Sequence, residues 1–259
     1  MRHLFSPEGE FALQAVMAHQ PLLAFDFDGT LAPIVAHPDD ARVPQSLTQW
    51  LEQLAQRLPM AIITGRRVAD VTPRLNFTPD YVIGNHGAED PSLAPPAIAD
   101  AALDALRERI AMQPSELQRA GVEVEDKQYS LTLHYRQAPD HGAALLCIEA
   151  LLQGIEPALK RFGGKCVVNV VASGLPDKGD ALASLVRRSG ASSAVFVGDD
   201  VNDESVFIRA EPHWLTVRIG RDDPLSKAMF FLDSDKELAA VLQRMLELLD
   251  LRGTAVGSA

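Results

Sequence analysis

The sequence predicts an α/β protein in which a parallel sheet is interrupted by a smaller segment of mixed α and β structure. Two observations support this. Short apolar runs, typical of buried strands, alternate with helical segments, and this order favours a parallel sheet. The segment 90–172 instead contains helices and an alternating hairpin. We therefore expect a core of residues 1–89 and 173–259 and a separate small α+β domain of residues 90–172.

The first half of the predicted core alternates helices and strands. A helix should begin after Ser6, a potential N-cap that is followed by proline and glutamate. The apolar run 22–26 predicts the first strand. Leucines three or four residues apart over 47–58 predict an amphipathic helix, and buried strands are expected at 60–63 and 81–84.

The inserted segment follows a proline-rich stretch at 91–96, which marks a domain boundary. Its predicted elements are a helix at 99–112, strands at 122–125 and 130–136, a helix at 143–153 and a strand at 165–171. The core then resumes with a helix at 181–188, strands at 194–197 and 214–219, and a closing helix at 237–250.

Composition and charge limit the partners of the chain. Of its 259 residues, 47% are hydrophobic and 23% are charged, as in an ordinary soluble globular protein. The formal net charge of −11 disfavours nucleic acid and anionic membranes as partners. The sequence has no run of about 18 apolar residues and no apolar signal core at its start. We therefore expect a cytoplasmic protein. The small acidic chain shows no clear extra interaction module, so a monomer is the default expectation.

Two aspartates follow the first predicted strand directly. Ligand sites lie at the carboxyl ends of parallel strands, so Asp26 is a candidate nucleophile that can take a phosphoryl group. Asp28 is close enough to protonate a leaving oxygen and later to activate water. Gly29 lets the chain turn near an anion, and Thr30 adds a hydroxyl donor. An ordinary strand end with an Asp-Gly turn is the alternative.

Polar residues also follow the next two predicted strands. Thr64 can hold a phosphate oxygen and Arg66 can add positive charge, although Thr64 can equally cap a helix that begins at Val68. His86 and Gly87 follow the third strand. A lone histidine at a strand end is more often a structural hydrogen-bonding group than a ligand.

The second half of the core adds a lysine and an acidic loop. Lys178 can neutralise a phosphate and an aspartyl nucleophile, and a solvated loop lysine is the alternative. Residues 199–204 contain four acids, whose mutual repulsion a bound cation would relieve. Oxygen ligands beside a phosphate favour Mg²⁺, whereas a solvated acidic turn is the alternative. Because the carboxyl ends of parallel strands lie at one edge, all of these clusters can meet.

Together these motifs resemble those of the haloacid dehalogenase-like phosphatases. The shared motifs are Asp26-Phe27-Asp28-Gly29-Thr30, Thr64-Gly65-Arg66, Lys178-Gly179 and the acidic loop 198–204. Three further segments resemble the trehalose-6-phosphate phosphatase family: Asn85-His86-Gly87-Ala88-Glu89, Glu125-Asp126-Lys127 and His134-Tyr135-Arg136. The resemblance runs nearly end to end. It implies a Rossmann-like parallel core with an inserted α+β cap that determines substrate specificity.

The resemblance also implies catalytic roles. Asp26 would become the phospho-aspartate, and Asp28 would act first as general acid and then as base. Thr64 and Lys178 would hold the transferring phosphoryl oxygens. The implied ligands of Mg²⁺ are Asp26, the backbone carbonyl of Asp28, and Asp199, with support from Asp200 and Asp203. The implied reaction hydrolyses trehalose 6-phosphate to trehalose and phosphate, and a trehalose-6-phosphate synthase is the implied functional partner.

The substrate contacts implied by the resemblance fall in both predicted domains. They are Arg66, His86 and Gly87 in the core and Glu125, Lys127 and Asn169 in the cap. Asn169 stands where the family usually has a glutamate that contacts the sugar. Asparagine keeps an acceptor and adds a donor, but it is shorter and neutral. We therefore expect that trehalose 6-phosphate is still accepted, with weaker binding or looser selectivity.

Three other functions stay open at this point. A related phosphatase for another sugar phosphate, such as sucrose or glucosylglycerol phosphate, is kept open by Asn169. A non-catalytic domain could bind trehalose 6-phosphate and regulate a synthase, but such a domain has no need of Asp26, Asp28, Lys178 and Asp199 together. A phosphomutase shares the core chemistry and would have to retain and reorient its intermediate.

Overall fold

The chain forms two compact units. The computed structural model describes residues 1–35, 37–94, 99–155 and 157–256. The first unit comprises Met1–Gly87 and Asp177–Ala259, and the second comprises Ala88–Pro176. Within the predicted proline-rich boundary, residues 95 and 96 lie outside the described residues.

Strands and helices alternate through most of the first unit, and the second unit contributes the elements between residues 99 and 172. In chain order the strands are β1 (Arg2–His3), β2 (Leu22–Phe25), β3 (Met60–Ile63), β4 (Tyr81–Ile83), β5 (Glu123–Asp126), β6 (Ser130–His134), β7 (Leu159–Gly164), β8 (Val167–Ala172), β9 (Ala194–Gly198), β10 (Leu215–Ile219) and β11 (Phe230–Leu232). The α-helices are α1 (Pro7–Met17), α2 (Gln45–Ala55), α3 (Val68–Val71), α4 (Ala99–Met112), α5 (Pro114–Ala120), α6 (His141–Leu151), α7 (Lys178–Ser189), α8 (Glu204–Arg209) and α9 (Leu238–Val256). Among the described residues, no helix is both long and apolar enough to cross a membrane.

The first unit is built on a parallel sheet with the strand order β1-β11-β10-β9-β2-β3-β4. Strand β2 lies between β9 and β3, and Phe25 pairs with Val197 on one side and with Ile62 on the other. This register brings the ends of the three strands to the same edge of the sheet. The residues that directly follow these strands are therefore neighbours, as the sequence predicts.

Both faces of this sheet are buried. In β2, Leu23 and Phe25 pack into a cluster with residues of α1, α2 and α9, whereas Leu22 and Ala24 pack with residues of α7 and α8. Strands covered by helices on both faces read as continuous apolar runs. This burial explains why the sequence of β2 predicts its position so well, and it confirms the α/β fold class.

The second unit combines a four-stranded antiparallel sheet with helices. Its strand order is β5-β6-β8-β7, and α4, α5 and α6 contribute to a shared apolar cluster on one face. Leu131, Leu133 and Val170 point into that cluster. Since side chains alternate along a strand, the residues between them point to the opposite face. The expected α+β architecture of this segment is confirmed.

The structure also corrects several predicted elements. Strand β7 was not predicted, because only Leu159 is buried in it and it ends in two glycines. The edge strand β1 and its neighbour β11 are two and three residues long, too short to give a periodic signal. The closing helix continues beyond the predicted end at Asp250 and reaches Val256.

Candidate active site

The carboxyl edge of the parallel sheet collects buried polar side chains. Asp26 follows β2, Thr64 follows β3 and Asp199 follows β9, and each is at most 5% exposed. Buried carboxylates are costly unless they are paired, hydrogen-bonded or bound to a cation. These residues therefore mark a site, and their partners define its chemistry.

Lys178 is the positive centre of this site. It is 1% exposed, and its Nζ lies 2.8 Å from Asp26 Oδ2 and 2.8 Å from Asp203 Oδ1. Its position follows from the start of α7, where Asp177 and Asp180 form a reciprocal cap with the backbone. The alternative of a solvated loop lysine is wrong, because Lys178 is fully buried between two carboxylates.

The charges of the cluster do not balance. Burial raises the pKa of Asp26 well above its ordinary value, Lys178 opposes this rise, and the nearby Asp203 and Asp199 add to it. Burial acts to lower the pKa of Lys178, but the charges of Asp203 and Asp26 outweigh it, so the lysine stays protonated. The cluster thus holds three carboxylates and one ammonium group, which pairs with Asp26 and Asp203. A cation with two positive charges would complete the balance.

Asp203 organises the acidic loop from inside. It is fully buried, and its Oδ2 accepts hydrogen bonds from the backbone N–H groups of Asp199 (2.9 Å) and Asp200 (3.0 Å). Asp200 caps this turn through the backbone N–H of Val201. The alternative of a solvated, helix-capping acidic turn holds only for Asp200, because Asp199 and Asp203 are buried.

Gly29 makes room for the Asp199 carboxylate. Its φ is +79°, and a Cβ at this position would lie 2.1 Å from Asp199 Oδ2. Thr30 Oγ1 donates to the other carboxylate oxygen, Asp199 Oδ1, over 3.3 Å. The turn after β2 therefore fixes the orientation of Asp199 relative to Asp26.

The donor set of the cluster fits a hard divalent cation. Asp26, Asp199 and Asp203 each offer one oxygen, and these three atoms lie within 4.8 Å of one another. Both oxygens of Asp203 already have partners, Lys178 and the loop amides. Asp26 is engaged in the same way, by Lys178 at Oδ2 and by the backbone N–H of Phe27 at Oδ1. The three carboxylates together, rather than any pair of them, offer the oxygen ligands that suit Mg²⁺.

A second group, formed by His3, Asp233 and Glu237, is less suited to a metal. The backbone N–H of Phe5 donates to His3 Nδ1, so the ring proton lies on Nε2. Nε2 lies 3.2 Å from Glu237 Oε2 and donates to it rather than offering a lone pair to a cation. This group ties the start of the chain to the region before α9.

Arg66 holds the carboxylate of Asp28 in a bidentate pair. Its Nε and Nη2 lie 2.7 Å and 2.8 Å from the two oxygens of Asp28, and its Nη1 lies 2.9 Å from Asp70 Oδ2. The guanidinium carbon also lies 5.2 Å from the centre of the Phe27 ring. Arg66, predicted as a substrate contact, is thus placed as the partner of the predicted general acid.

The turn after β4 packs against the loop that contains Thr64. The backbone N–H of His86 donates to Thr64 O over 2.9 Å, and the His86 ring fills the space beside Gly65, where a Cβ would lie 2.3 Å from it. Gly87 has a φ of +112°, and a Cβ there would lie 2.3 Å from Asp177 O. This turn therefore contacts both the Thr64 loop and the residue that precedes Lys178.

Thr64 does not cap α3. The N-cap of that helix is Arg67, without a side-chain hydrogen bond, and Thr64 Oγ1 instead accepts from the backbone N–H of Arg66 over 3.2 Å. The capping alternative is therefore wrong. Within the part of the chain that the structure describes, no residue accepts the hydroxyl proton of Thr64, which lies at the carboxyl edge of the sheet.

Two of the three predicted sugar contacts of the second unit lie on its sheet, Glu125 in β5 and Asn169 in β8, and Lys127 directly follows β5. Glu125 Oε2 lies 2.9 Å from His134 Nε2 and 3.4 Å from Lys127 Nζ. Asn169 Oδ1 accepts a hydrogen bond from Thr132 Oγ1 over 2.9 Å. Lys127 and Asn169 are buried, whereas the Glu125 side chain is half exposed.

Comparison with known proteins identifies the family. A family model described as trehalose-phosphatase matches residues 24–228, which include every candidate site residue from Asp26 to Asp203. The chain belongs to the trehalose-phosphatase family. The resemblance inferred from the sequence motifs is thereby confirmed.

Two relatives illustrate the match to the trehalose-phosphatase family. The trehalose-6-phosphate phosphatase of Escherichia coli is 35% identical, over 71% of this chain and 71% of that protein. The trehalose-phosphate phosphatase of Mycolicibacterium paratuberculosis is 33% identical, over 89% of this chain and 63% of that protein. The chain thus spans less than two thirds of the length of the mycobacterial relatives that it matches.

Solved structures share the fold. The C-terminal domain of the trehalose-6-phosphate phosphatase from C. albicans superposes with a TM-score of 0.76 at 21% identity, over 91% of this chain and 95% of that one. A haloacid dehalogenase-like hydrolase from Bacteroides thetaiotaomicron gives a TM-score of 0.63 at 16% identity, over 87% and 99% of the two chains. At these identities the likeness shows the fold alone, and it agrees with the predicted α/β fold class.

The sequence analysis missed Arg218, a buried cation beneath the acidic loop of this trehalose-phosphatase family member. Arg218 is 2% exposed, and its Nη1 lies 3.3 Å from Asp200 O and 3.4 Å from Glu204 Oε1. Within β10 it pairs with Gly198, the residue before the loop. An arginine in the otherwise uncharged strand β10 was the signal that could have identified it, because a buried charge requires a partner.

Proposed function

We propose that the protein is a Mg²⁺-dependent phosphatase that hydrolyses trehalose 6-phosphate through a phospho-aspartate on Asp26. The observation that carries this proposal is the buried Lys178, which bridges Asp26 and Asp203 beside Asp199 at the carboxyl edge of the sheet. Phosphoryl transfer needs positioning and charge neutralisation more than any special reactive group. This cluster supplies a nucleophile, a buried cation and the ligands for a second cation.

In the first step, a carboxylate oxygen of Asp26 attacks phosphorus and the bond between phosphorus and the sugar oxygen breaks. Asp28 gives its proton to the leaving sugar oxygen. Arg66 binds both oxygens of Asp28 in the structure, so this step requires that Arg66 release one of them. Lys178 and Thr64 hold the transferring oxygens, with the Thr64 hydroxyl as a donor.

In the second step, Asp28 takes a proton from water as the water oxygen attacks phosphorus. The bond between phosphorus and Asp26 breaks, and inorganic phosphate and the free carboxylate result. A Mg²⁺ ion held by Asp26, the carbonyl of Asp28, and Asp199 would supply charge neutralisation for the phosphoryl group. Asp200 and Asp203 keep the acidic loop in shape for this ion.

In this proposal each of the two units has its own role. The first unit carries the phosphoryl chemistry, with His86 and Gly87 supporting the Thr64 loop. The second unit acts as the specificity domain, and Glu125, Lys127 and Asn169 bind the hydroxyl groups of the sugar, which charged side chains bind strongly. The protein would act as a cytoplasmic monomer on the product of a trehalose-6-phosphate synthase.

Phosphate release from several sugar phosphates tests the proposal. We expect Mg²⁺-dependent release from trehalose 6-phosphate that EDTA abolishes, and much slower release from sucrose 6-phosphate and glucose 6-phosphate. Asp26→Asn should remove activity by a factor of about 10³ or more, because the nucleophile is lost. Faster release from another sugar phosphate would contradict the assigned substrate, and release in EDTA would contradict the role of Mg²⁺.

A further inference from the structure

Strand β6 carries polar side chains that lie beside polar side chains of its two neighbouring strands, β5 and β8. Thr132 pairs with Glu125 of β5 on one side and with Asn169 of β8 on the other, so these three side chains share one face of the sheet. His134 is two residues further along β6 and points to the same face. The face opposite the helices of the second unit is therefore a polar strip across three strands.

His134 fixes one oxygen of Glu125. A carboxylate only accepts hydrogen bonds, so His134 Nε2 is the donor to Glu125 Oε2 over 2.9 Å. Burial raises the pKa of Glu125, but His134 and Lys127 outweigh burial and keep the pKa below its ordinary value. Among the described residues, none donates a hydrogen bond to the other oxygen, Oε1. Glu125 is therefore an ionised carboxylate with one oxygen held by His134 and the other available to a ligand.

Thr132 orients Asn169 in the same way. Its hydroxyl donates to Asn169 Oδ1 over 2.9 Å, which turns the amide nitrogen away from Thr132. Asn169 is only 3% exposed, and within the described part of the chain no residue accepts a hydrogen bond from its Nδ2. Nδ2 is not among the buried polar atoms that lack a partner, so it keeps some contact with solvent and a ligand hydroxyl can reach it.

We propose that His134 and Thr132 are positioning residues that fix an acceptor, Glu125 Oε1, and a donor, Asn169 Nδ2, for the hydroxyl groups of one sugar ring. Two strand spacings, about 10 Å, separate the backbones of Glu125 and Asn169, which leaves room for a ring between the side chains. A hydroxyl group both donates and accepts, so it fits either position. This inference rests on the proposed function as a sugar-phosphate phosphatase.

Steady-state kinetics of His134 and Thr132 variants test the proposal. We expect His134→Phe to raise KM for the preferred sugar phosphate roughly tenfold, because a hydrogen bond to a charged group is lost, with little change in kcat. His134→Gln, which keeps a donor near the position of Nε2, should restore most of the affinity. Thr132→Val should raise KM, and Thr132→Ser should restore it. None of these variants should change turnover of p-nitrophenyl phosphate, which has no sugar.

A matched histidine controls for nonspecific effects. His213 forms an exposed pair with Glu211 over 3.4 Å in the first unit, and His213→Phe should leave all substrates unaffected. An unchanged KM in His134→Phe, or an equal loss of turnover with p-nitrophenyl phosphate, would overturn the inference while the proposed function stands. If another sugar phosphate is preferred and His134→Phe raises its KM, the inference holds and only the assigned substrate fails. Wild-type protein that hydrolyses p-nitrophenyl phosphate but no sugar phosphate would overturn both.

Discussion

Lys178 holds the site together at the scale of single residues. Its ammonium group lies between Asp26 and Asp203, and all three residues are at most 5% exposed. Removing one partner of a buried ion pair leaves an uncompensated charge, which costs more than the pair itself contributes. The same lysine therefore serves both stability and the binding of a phosphoryl group.

Lys178→Met should strongly destabilise the metal-free protein. We expect the free energy of unfolding at neutral pH to fall by about 3–5 kcal/mol, because two buried carboxylates lose their cation. Lys178 opposes the rise in the pKa of Asp26 that burial causes, so without the lysine the folded-state pKa of Asp26 rises further above its unfolded value. The loss should therefore be small below the ordinary pKa of aspartate and grow as the pH rises. Urea unfolding at several pH values measures it.

The exposed Lys236 provides the control for this measurement. Lys236→Met should change the unfolding free energy by no more than about 0.5 kcal/mol, as is usual at the surface. Equal unfolding midpoints for the two variants would show that Lys178 does not compensate the buried acids.

Residues that stand next to a buried strand could be predicted, whereas their partners could not. Asp26 and Asp199 follow apolar runs, so the sequence alone placed them at the edge of the sheet. The pairing of Arg66 with Asp28 joins residues 38 positions apart, and it depends on the register of β2 and β3. The contact between His134 and Glu125 likewise depends on a cross-strand diagonal that a motif does not reveal.

At the scale of elements, the turn after β4 connects the two groups proposed to hold the phosphoryl oxygens. Its backbone binds the carbonyls of Thr64 and Arg66, and Gly87 lies against the carbonyl of Asp177 at the start of α7. Asn85 and His86 also have positive φ values, of 49° and 58°. Such strained backbone persists only where the surrounding structure holds it.

Gly87→Ala should lower kcat by more than its loss of folding stability can explain. A Cβ would press on Asp177 O and on the backbone nitrogen of Lys178, 3.0 Å away, and would displace the start of α7. A shift of about 1 Å at a reacting centre can lower the rate about 10²-fold, so we expect a loss of kcat on this scale. Phosphate release and thermal unfolding would be measured on the same preparation.

Gly190, at the other end of α7, is the matched control. It also has a positive φ, of +74°, but a Cβ there would meet nothing within 4 Å. Gly190→Ala should therefore cost about 1–2 kcal/mol of backbone strain and leave kcat unchanged. If both variants lose kcat to the same extent, strain rather than contact with the Lys178 segment explains the effect.

Element prediction succeeded where burial gives a clear pattern and failed where it does not. The central strands β2, β3 and β9 are buried throughout and were predicted within one residue at each end. The edge strand β7 has one fully buried residue, and its pairing with β8 is fixed by tertiary structure rather than by its own sequence.

At the scale of the whole molecule, the chain combines a parallel core with an antiparallel second unit. The core carries the acidic cluster and Lys178, and the second unit carries the polar strip of β5, β6 and β8. The trehalose-phosphatase family model matches residues 24–228, which include the second unit and much of the first. This arrangement agrees with the proposal that the first unit transfers the phosphoryl group and the second unit recognises the sugar.

The formation of a covalent intermediate on Asp26 is the claim on which the proposed mechanism depends. Rapid acid quenching after mixing with ³²P-labelled trehalose 6-phosphate and Mg²⁺, followed by peptide mapping, tests it directly. We predict a label on the peptide that contains Asp26, removed by hydroxylamine as an acyl phosphate should be and absent from Asp26→Asn. Turnover without any labelled peptide, or a label that persists in Asp26→Asn, would contradict the mechanism.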